Sequence, residues 1–328
     1  MKNILVTGGA GYIGSLVSQQ LIHDGHNIHI IDNLDTGHIS SVPAKASFLQ
    51  GDLRDLNFVR SAFTKINPDS VIHLAAKASV PESVKDPIGY FQNNVGGSLN
   101  LLQCIQEFEV KKLIFSSTAA VYSGKGANEP ITTDEVPEPQ NPYGLSKLFI
   151  EDSIAWLCEK SDLRAVALRY FNVAGASLDG KLGQRTKGSG HLLKKVSEYL
   201  VGKESSLKVF GNDYPTKDGT GIRDYIHVVD LAEGHLAALD FLKNHQGWEV
   251  FNLGTGHGIS VFEMISSYKH ASGKEIAYQI KGRRTGDIAS CYTTVEKSQD
   301  LLQWRTRYIL EQMCKSSWLW QNMKNDSV

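Results

Sequence analysis

Cysteine is scarce. Cys104, Cys158, Cys291 and Cys314 are the only four, far apart and without paired spacing. That excludes a disulfide framework or a cysteine-built metal site and fits reduced thiols, so a cytoplasmic protein with no metal is expected. No apolar run approaches the roughly 18 residues of a membrane span. The chain starts on a short apolar strand behind one lysine, not on a charged and then an apolar segment, so no secretory leader is expected. Charge of one sign is missing as well. The net charge of −1 gives no electrostatic footing for nucleic acid or an anionic membrane. Repeats and low-complexity tracts are absent. What is present is ordinary for a globular protein: 328 residues, 41% apolar and 21% charged, enough for one large or two unequal domains.

The strongest local pattern is Thr7-Gly8-Gly9-Ala10-Gly11-Tyr12-Ile13-Gly14. It follows the apolar run Ile4-Leu5-Val6 and opens into a helical pattern through Leu16, Val17 and Leu21. Strand, glycine turn and helix together make a dinucleotide-binding signature. In it, Gly8 makes the tight turn, Gly11 admits a pyrophosphate and Gly14 lets helix pack on strand. The phosphates then meet free N–H groups at the helix N-terminus. A second strand, Ile28 to Ile31, ends in Asp32, a carboxylate placed for the ribose hydroxyls. No Arg or Lys lies between Asp32 and Gly37 to neutralise a 2′-phosphate, which favours NAD over NADP. Gly51-Asp52-Leu53 follows a third strand, and Asp52 there either meets the adenine or caps the next helix.

Strands alternate with helices over the first 170 or so residues. Val71 to Leu74, ending in Ala75-Ala76, reads as a fourth strand whose small residues admit a flat ligand. A helical stretch from about Asp86 to Phe108 carries Asn94 near its start. A fifth strand, Lys111 to Phe115, ends in Ser116-Ser117-Thr118. After a Pro- and Glu-rich loop over about 124–142, a helix from Tyr143 to Cys158 leads to a sixth strand, Ala165 to Arg169. This rhythm predicts an α/β fold, a Rossmann-type doubly wound parallel sheet. Beyond Gly175 it breaks down, through a connector near 179–190. We expect an NAD-binding domain over 1–175, a strand near 250–254 returning to it, and a smaller C-terminal α/β substrate domain over 176–328.

Tyr143-Gly-Leu-Ser-Lys147 places a phenol and an ammonium on one helix face, about 5–6 Å apart at Cβ. A phenol near pKa 10 is a poor base at neutral pH. A neighbouring ammonium and a cationic nicotinamide ring favour its phenolate. Thr118, at the preceding strand end, can hydrogen-bond the substrate hydroxyl or the tyrosine oxygen.

With Arg169-Tyr170-Phe171-Asn172, Phe210-Gly-Asn-Asp-Tyr-Pro-Thr and Asp218-Gly-Thr-Gly-Ile-Arg-Asp-Tyr-Ile-His227 added, the chain resembles the extended short-chain dehydrogenase/reductases. Among them it is similar to the UDP-glucose 4-epimerases over residues 1 to about 320. The resemblance implies a tightly held NAD and epimerisation at C4 of a UDP-hexose through a 4-keto sugar, with Tyr143 as acid and base. It further implies cofactor contacts from Tyr12, Ile13, Asp32, Asn33, Asp52, Leu53, Leu74, Ala75, Ala76, Asn94, Ser116, Lys147, Tyr170 and Phe171. For the UDP-sugar it implies Thr118, Tyr143, Asn172, His191, Leu192, Lys208, Phe210, Arg223, Arg284, Asp287 and Cys291. A homodimer through helices near 87–108 and 143–158 is implied as well.

The departures from that family are specific. Thr118 stands where serine is frequent, Lys77 falls one position early with Ala78 in the aligned place, and His191 replaces an asparagine. Cys291 stands where some members carry a tyrosine that closes the hexose pocket, so UDP-GlcNAc and UDP-GalNAc become candidate substrates. Tyr292 lies next to it, and an alignment slip of one residue would close the pocket again. Ala119-Ala120 lack the carboxylate pair that a 4,6-dehydratase requires. The remaining alternatives are a UDP-glucuronate or UDP-xylose/arabinose 4-epimerase and a non-catalytic NAD-binding sensor.

Overall fold

The computed structural model describes residues 2–124, 129–185, 191–284 and 287–325. Parts of the Pro- and Glu-rich loop (125–128) and of the connector (186–190) lie outside the described residues. The first half runs β1 (Asn3–Thr7), α1 (Tyr12–His23), β2 (Asn27–Asp32), β3 (Ser47–Gln50), α2 (Leu56–Ile66), β4 (Ser70–His73), α3 (Val80–Lys85), α4 (Pro87–Phe91), α5 (Gly97–Glu107), β5 (Lys112–Thr118), α6 (Pro142–Glu159) and β6 (Arg164–Tyr170). The second half runs β7 (Asn172–Ala174), α7 (Leu192–Leu200), β8 (Leu207–Phe210), β9 (Ile222–His227), α8 (Val228–Phe241), β10 (Trp248–Leu253), β11 (Gly258–Ser260), α9 (Val261–Ser272), β12 (Tyr278–Lys281), β13 (Ser290–Cys291), α10 (Glu296–Leu302) and α11 (Leu310–Asn325).

β1 to β6 and β10 form a seven-stranded sheet in the order β3-β2-β1-β4-β5-β6-β10. All its pairings are parallel. Its central strands β1, β4, β5 and β6 are almost wholly buried and accordingly read as apolar runs. Strand order reverses between β1 and β4, and the crevice at the carboxyl ends there is where such sheets bind ligands.

One core packs Ile4, Val6, Val17 and Leu21 against Val228, Leu231, Leu239, Phe251 and Trp304. The other packs Leu5, Phe63, Leu101, Ile105, Phe115 and Ile154 on the opposite face. The first core thus draws on α8, β10 and the 302–304 segment as well as on α1. A doubly wound sheet needs both faces covered, and here the chain returns after residue 175 to cover one of them.

The helical stretch expected over 86–108 is α4 and α5 joined by a π-helical turn, Gln92–Gly96. The rest of the second half builds a smaller layer in which β9 pairs with β7, β11 and β13 and β8 pairs with β12. Its core gathers Leu193, Val196, Val209, Tyr225, Met264 and Tyr268.

Candidate functional site

β1 ends at Thr7, and Gly8 turns the chain with φ +74. A Cβ on Gly8 would lie 2.6 Å from the Ala75 nitrogen, and one on Gly14 would lie 2.2 Å from the Gly8 carbonyl oxygen. Both contacts are with backbone, so both positions exclude a side chain. Gly11 caps α1 in extended backbone without a side-chain bond, leaving the first-turn N–H groups for an anion. Tyr12 and Ile13 open α1, and the Tyr12 hydroxyl donates to the Gly175 carbonyl (2.6 Å), tying the glycine turn to the second layer.

Asp32, buried at the end of β2, accepts from the backbone N–H of Ala10 (3.0 Å) and Leu34 (2.8 Å). Each oxygen keeps a second lone pair for a ribose hydroxyl. Burial raises its carboxyl pKa and the two backbone bonds oppose that. Asp52 is held by Arg54 (2.9 and 2.7 Å) and Asn33 (3.0 Å), chiefly Arg54 keeping it below the carboxylate range. That cluster joins the ends of β2 and β3. Leu53 is packed in the second core.

Leu74 and Ala75 hydrogen-bond Thr7, so the end of β4, continuing into Ala76, forms the cradle's far wall. Asn94, in the π-helical turn, uses its whole amide within the protein. Oδ1 accepts from Lys77 N–H (2.8 Å) and Asn93 (2.9 Å), and Nδ2 donates to the Lys77 carbonyl (3.0 Å) and Ser146 (3.1 Å). With every position filled, the Asn94 side chain fixes the 77 loop to α6.

α6 begins at Asn141, whose side chain accepts from Gly144 N–H, and carries Tyr143 and Lys147 inward. Both are buried, at 8% and 2% exposure. Burial pushes Tyr143 up to about 12, and the Thr118 side chain is the one opposing influence. Lys147 turns away, donating to the Ser116 carbonyl (2.7 Å) and lying 4.7 Å over the Phe115 ring. Desolvation drops it to about 7, with the Glu151 carboxylate acting against that. The expected phenolate rests on two positive charges, the ammonium and a nicotinamide ring. With Lys147 bonded to Ser116, the lysine alone does not supply it, and in the protein without cofactor the phenol is the resting form.

Several functional neighbours were not legible from motifs. Glu151, one helical turn past Lys147, is 3% exposed and takes Arg169 Nε at 3.0 Å and Ser117 Oγ. Arg169 also donates to the Tyr122 hydroxyl (2.8 Å), which donates on to Asn252 Oδ1 (2.8 Å). The continued spacing Tyr143, Lys147, Glu151 was the available signal. His73 joins Thr7 (2.7 Å) to Ser98 (2.7 Å) beneath the glycine turn. Burial, reinforced by Lys147, drops its pKa to about 3, so it is a neutral strut.

Tyr170 bonds Ser116 at the strand ends. Phe171 joins Val121, Tyr122, Ile131 and Cys291 in a small apolar cluster. Cys291 pairs with Arg223 in register. Tyr292 instead lies against Gly258, so the two neighbours face opposite ways and the cysteine is the one beside the sheet ends.

Asn172, His191 and Leu192 line one crevice with Tyr12, Gly175 and Tyr225. Tyr225 also lies in the fields of Arg223 and Arg284, which connects this crevice to the remaining group. In that group Arg284 bonds Asp287 (2.8 Å) and lies 4.9 Å over Phe210. Lys208, exposed, shares a face of β8 with Phe210.

A doubly wound sheet with a glycine cradle at its switch point, a buried carboxylate ending β2 and a buried Tyr/Lys pair at the end of β5 defines a dinucleotide-binding enzyme of the Rossmann class. Among the described residues, no helix is long and apolar enough to cross a membrane and no side-chain group is set to hold a metal ion. Residues 4–254 match the model of the NAD dependent epimerase/dehydratase family, and the chain belongs to that family, part of the extended short-chain dehydrogenases/reductases.

A UDP-glucose 4-epimerase of Lacticaseibacillus casei is 42% identical over 318 residues, 97% of this chain and 96% of the relative. A Stenotrophomonas maltophila UDP-glucose-4-epimerase, crystallised with NAD and formylated UDP-arabinopyranose, superposes with a TM-score of 0.96 at 37% identity over 100% of both chains. The UDP-Glc/GlcNAc 4-epimerase of Campylobacter jejuni does so with a TM-score of 0.86 at 38% identity, over 98% of this chain and 100% of that one.

Proposed function

We propose that this chain interconverts C4 epimers of UDP-hexoses, UDP-glucose and UDP-galactose first, with NAD as a resident cofactor. The observation that carries the reading is the pair Tyr143 and Lys147, both buried on one face of α6, with Thr118 influencing the phenol and Lys147 anchored on Ser116 at the end of β5. The cradle of Gly8 and Gly14, which a Cβ would fill, and Asp32 with lone pairs to spare fit NAD. Bound there, NAD supplies reversible hydride exchange at the sugar C4. Tyr143 accepts the proton of the 4-hydroxyl and later returns it to that same oxygen, once the sugar has turned the opposite face of C4 toward the cofactor, a general acid–base role. Thr118 holds that oxygen in line. Lys147, anchored on Ser116, provides the fixed positive charge that lowers the cost of the phenolate. Asn172, Arg223, Arg284, Phe210 and Asp287 grip the nucleotide, the arginines through forked donors suited to phosphate. A hexose held more loosely can turn over between the two transfers.

The named activities of the relatives support this reading. Proton NMR of the protein with UDP-galactose should show UDP-glucose appearing. Tyr143→Phe should keep NAD and lose turnover by about 10²–10⁴-fold, the usual range for a general acid–base group. Persistent turnover would remove Tyr143 from the role.

N-acetylated substrates are a second reading, favoured by one feature. Cys291 leaves the space beside Phe171 and Tyr122 with a small side chain, whereas Tyr292 is turned to Gly258. Cys291→Tyr should abolish only UDP-GalNAc turnover; an unchanged ratio of the two activities would refute it. A homodimer is supported by Ile88, Leu99, Leu145, Phe149 and Trp156, each large, apolar and at least 44% exposed on α4, α5 and α6. The free buried cysteines fit a cytoplasmic setting.

A further inference from the structure

The turn after β8 carries a tyrosine that the proposed mechanism does not use. Gly211 leaves the strand at φ +80, and a Cβ there would meet Tyr214 Cε2 at 2.5 Å and Arg283 Cγ at 3.0 Å. Glycine at 211 therefore lets the ring and the arginine close on each other. The turn is tied back on itself: Tyr214 N–H donates to the Gly219 carbonyl (2.9 Å), and Thr216 N–H donates to the Tyr214 carbonyl (2.7 Å). The Arg283 guanidinium lies 4.2 Å over the Tyr214 ring and is fixed there by Asp213 Oδ1 (2.8 Å). The phenol is held from its backbone and from one face.

Among the described residues its hydroxyl has nothing to bond. Tyr214 is 6% exposed, and its Oη is buried without a hydrogen-bond partner among the described residues. Such a group is costly to bury, and in a native protein it calls for an explanation. The charged side chains whose fields reach it are Asp287, Arg283, Arg223 and Arg284. Guanidiniums only donate, and the one carboxylate among these groups already accepts from Arg284. With Asp213 engaged by Arg283 and Asp287 by Arg284, three guanidiniums leave donors in surplus around the hydroxyl among the described residues, the complement of an oxyanion. The Arg284 side chain, 49% exposed, can move to admit one.

We propose that Tyr214 Oη is a further ligand of the substrate's diphosphate, donating to a phosphate oxygen held between Arg223 and Arg284. This rests on the reading that the same site takes a UDP-sugar. The ring stacked under Arg283 serves to aim the hydroxyl.

Tyr214→Phe removes the hydroxyl and keeps the stacked ring. Calorimetric titration of the NAD-loaded protein with UDP should show affinity lower by about tenfold, the effect of losing one hydrogen bond to a charged group. Uridine, which has no phosphate, should bind the variant and the wild type equally. The melting temperature should hold or rise, because an unmatched buried hydroxyl is gone. With UDP-galactose the loss should fall on KM and leave kcat in place, the pattern of uniform binding energy. Unchanged UDP affinity would overturn the proposal. An equal loss for uridine would overturn it by putting the hydroxyl on the nucleoside, and a lower melting temperature by giving it a structural partner. A wild-type protein that binds neither UDP nor UDP-galactose would instead bring down the nucleotide-sugar reading, and this proposal with it.

Discussion

Glu151→Gln tests the buried charge pair behind the Tyr/Lys helix through two separate readouts. Glu151 and Arg169 are 3% and 5% exposed, and the carboxylate takes Arg169 through Nε (3.0 Å) and Nη2 (2.5 Å) in a forked contact. Removing one partner of a buried ion pair costs about 3–5 kcal/mol, because the other charge is left uncompensated. The glutamine oxygen retains an acceptor, so the low end applies. At about 2 °C per kcal/mol for a large chain, the melting temperature should fall by about 6 °C.

The second readout is Lys147, whose pKa burial drops to about 7 and the Glu151 carboxylate props up. Across about 6 Å at an effective dielectric of about 20, one charge contributes about 3 kcal/mol, or about two pH units. Arg169 cancels part of that in the wild type and, once unpaired, repels the ammonium. Glu151→Gln should therefore move the alkaline limb of kcat/KM for UDP-galactose down by about one to two pH units. The double variant Glu151→Leu, Arg169→Met should regain most of the stability, since apolar replacement of a whole buried pair is often neutral. Its alkaline limb should still lie below that of the wild type. A fall in melting temperature with the limb unmoved would refute the reasoning and make the pair structural alone.

Lys147→Met should lose turnover and gain stability near neutral pH. The lysine pKa is lowered in the folded state from 10.5 to about 7, so between those values the unfolded chain binds more protons and wild-type stability rises with pH on this group's account. The variant should lack that slope in calorimetric scans from pH 7 to 10; an identical slope would mean the ammonium is not desolvated. Phe149→Glu combined with Trp156→Glu should convert a dimer to a monomer by size-exclusion light scattering with the fold intact, because both side chains are more than half exposed and apolar. A wild-type monomer, or a variant that stays dimeric, would discard that face as the contact.

What the sequence made legible and what it did not divide along the range of the contacts involved. The glycine turn, Asp32 and the Tyr143/Lys147 pair depend on neighbours within one turn or one strand–turn–helix unit, where spacing alone dictates geometry. Parallel strands were readable because burial on both faces writes itself as an apolar run. The stretch that forms α8 carries no motif, and nothing local told that Leu231 and Leu239 pack with Val6 and Val17. Asn94 was read as a ligand from its position, but its π-helical turn spends the amide on Lys77 and Ser146, a detour that 3.6-residue periodicity does not express. Arg283 and Tyr214 lie 4.2 Å apart at ring and guanidinium although the strands they follow, β12 and β8, are separated by three other strands and two helices in the chain. Such pairings follow from β8–β12 register, with Phe210 opposite Lys281, and register is decided by the fold as a whole. The local geometry of the strand ends could be read from spacing; contacts between distant segments, such as Arg283 on Tyr214, needed coordinates.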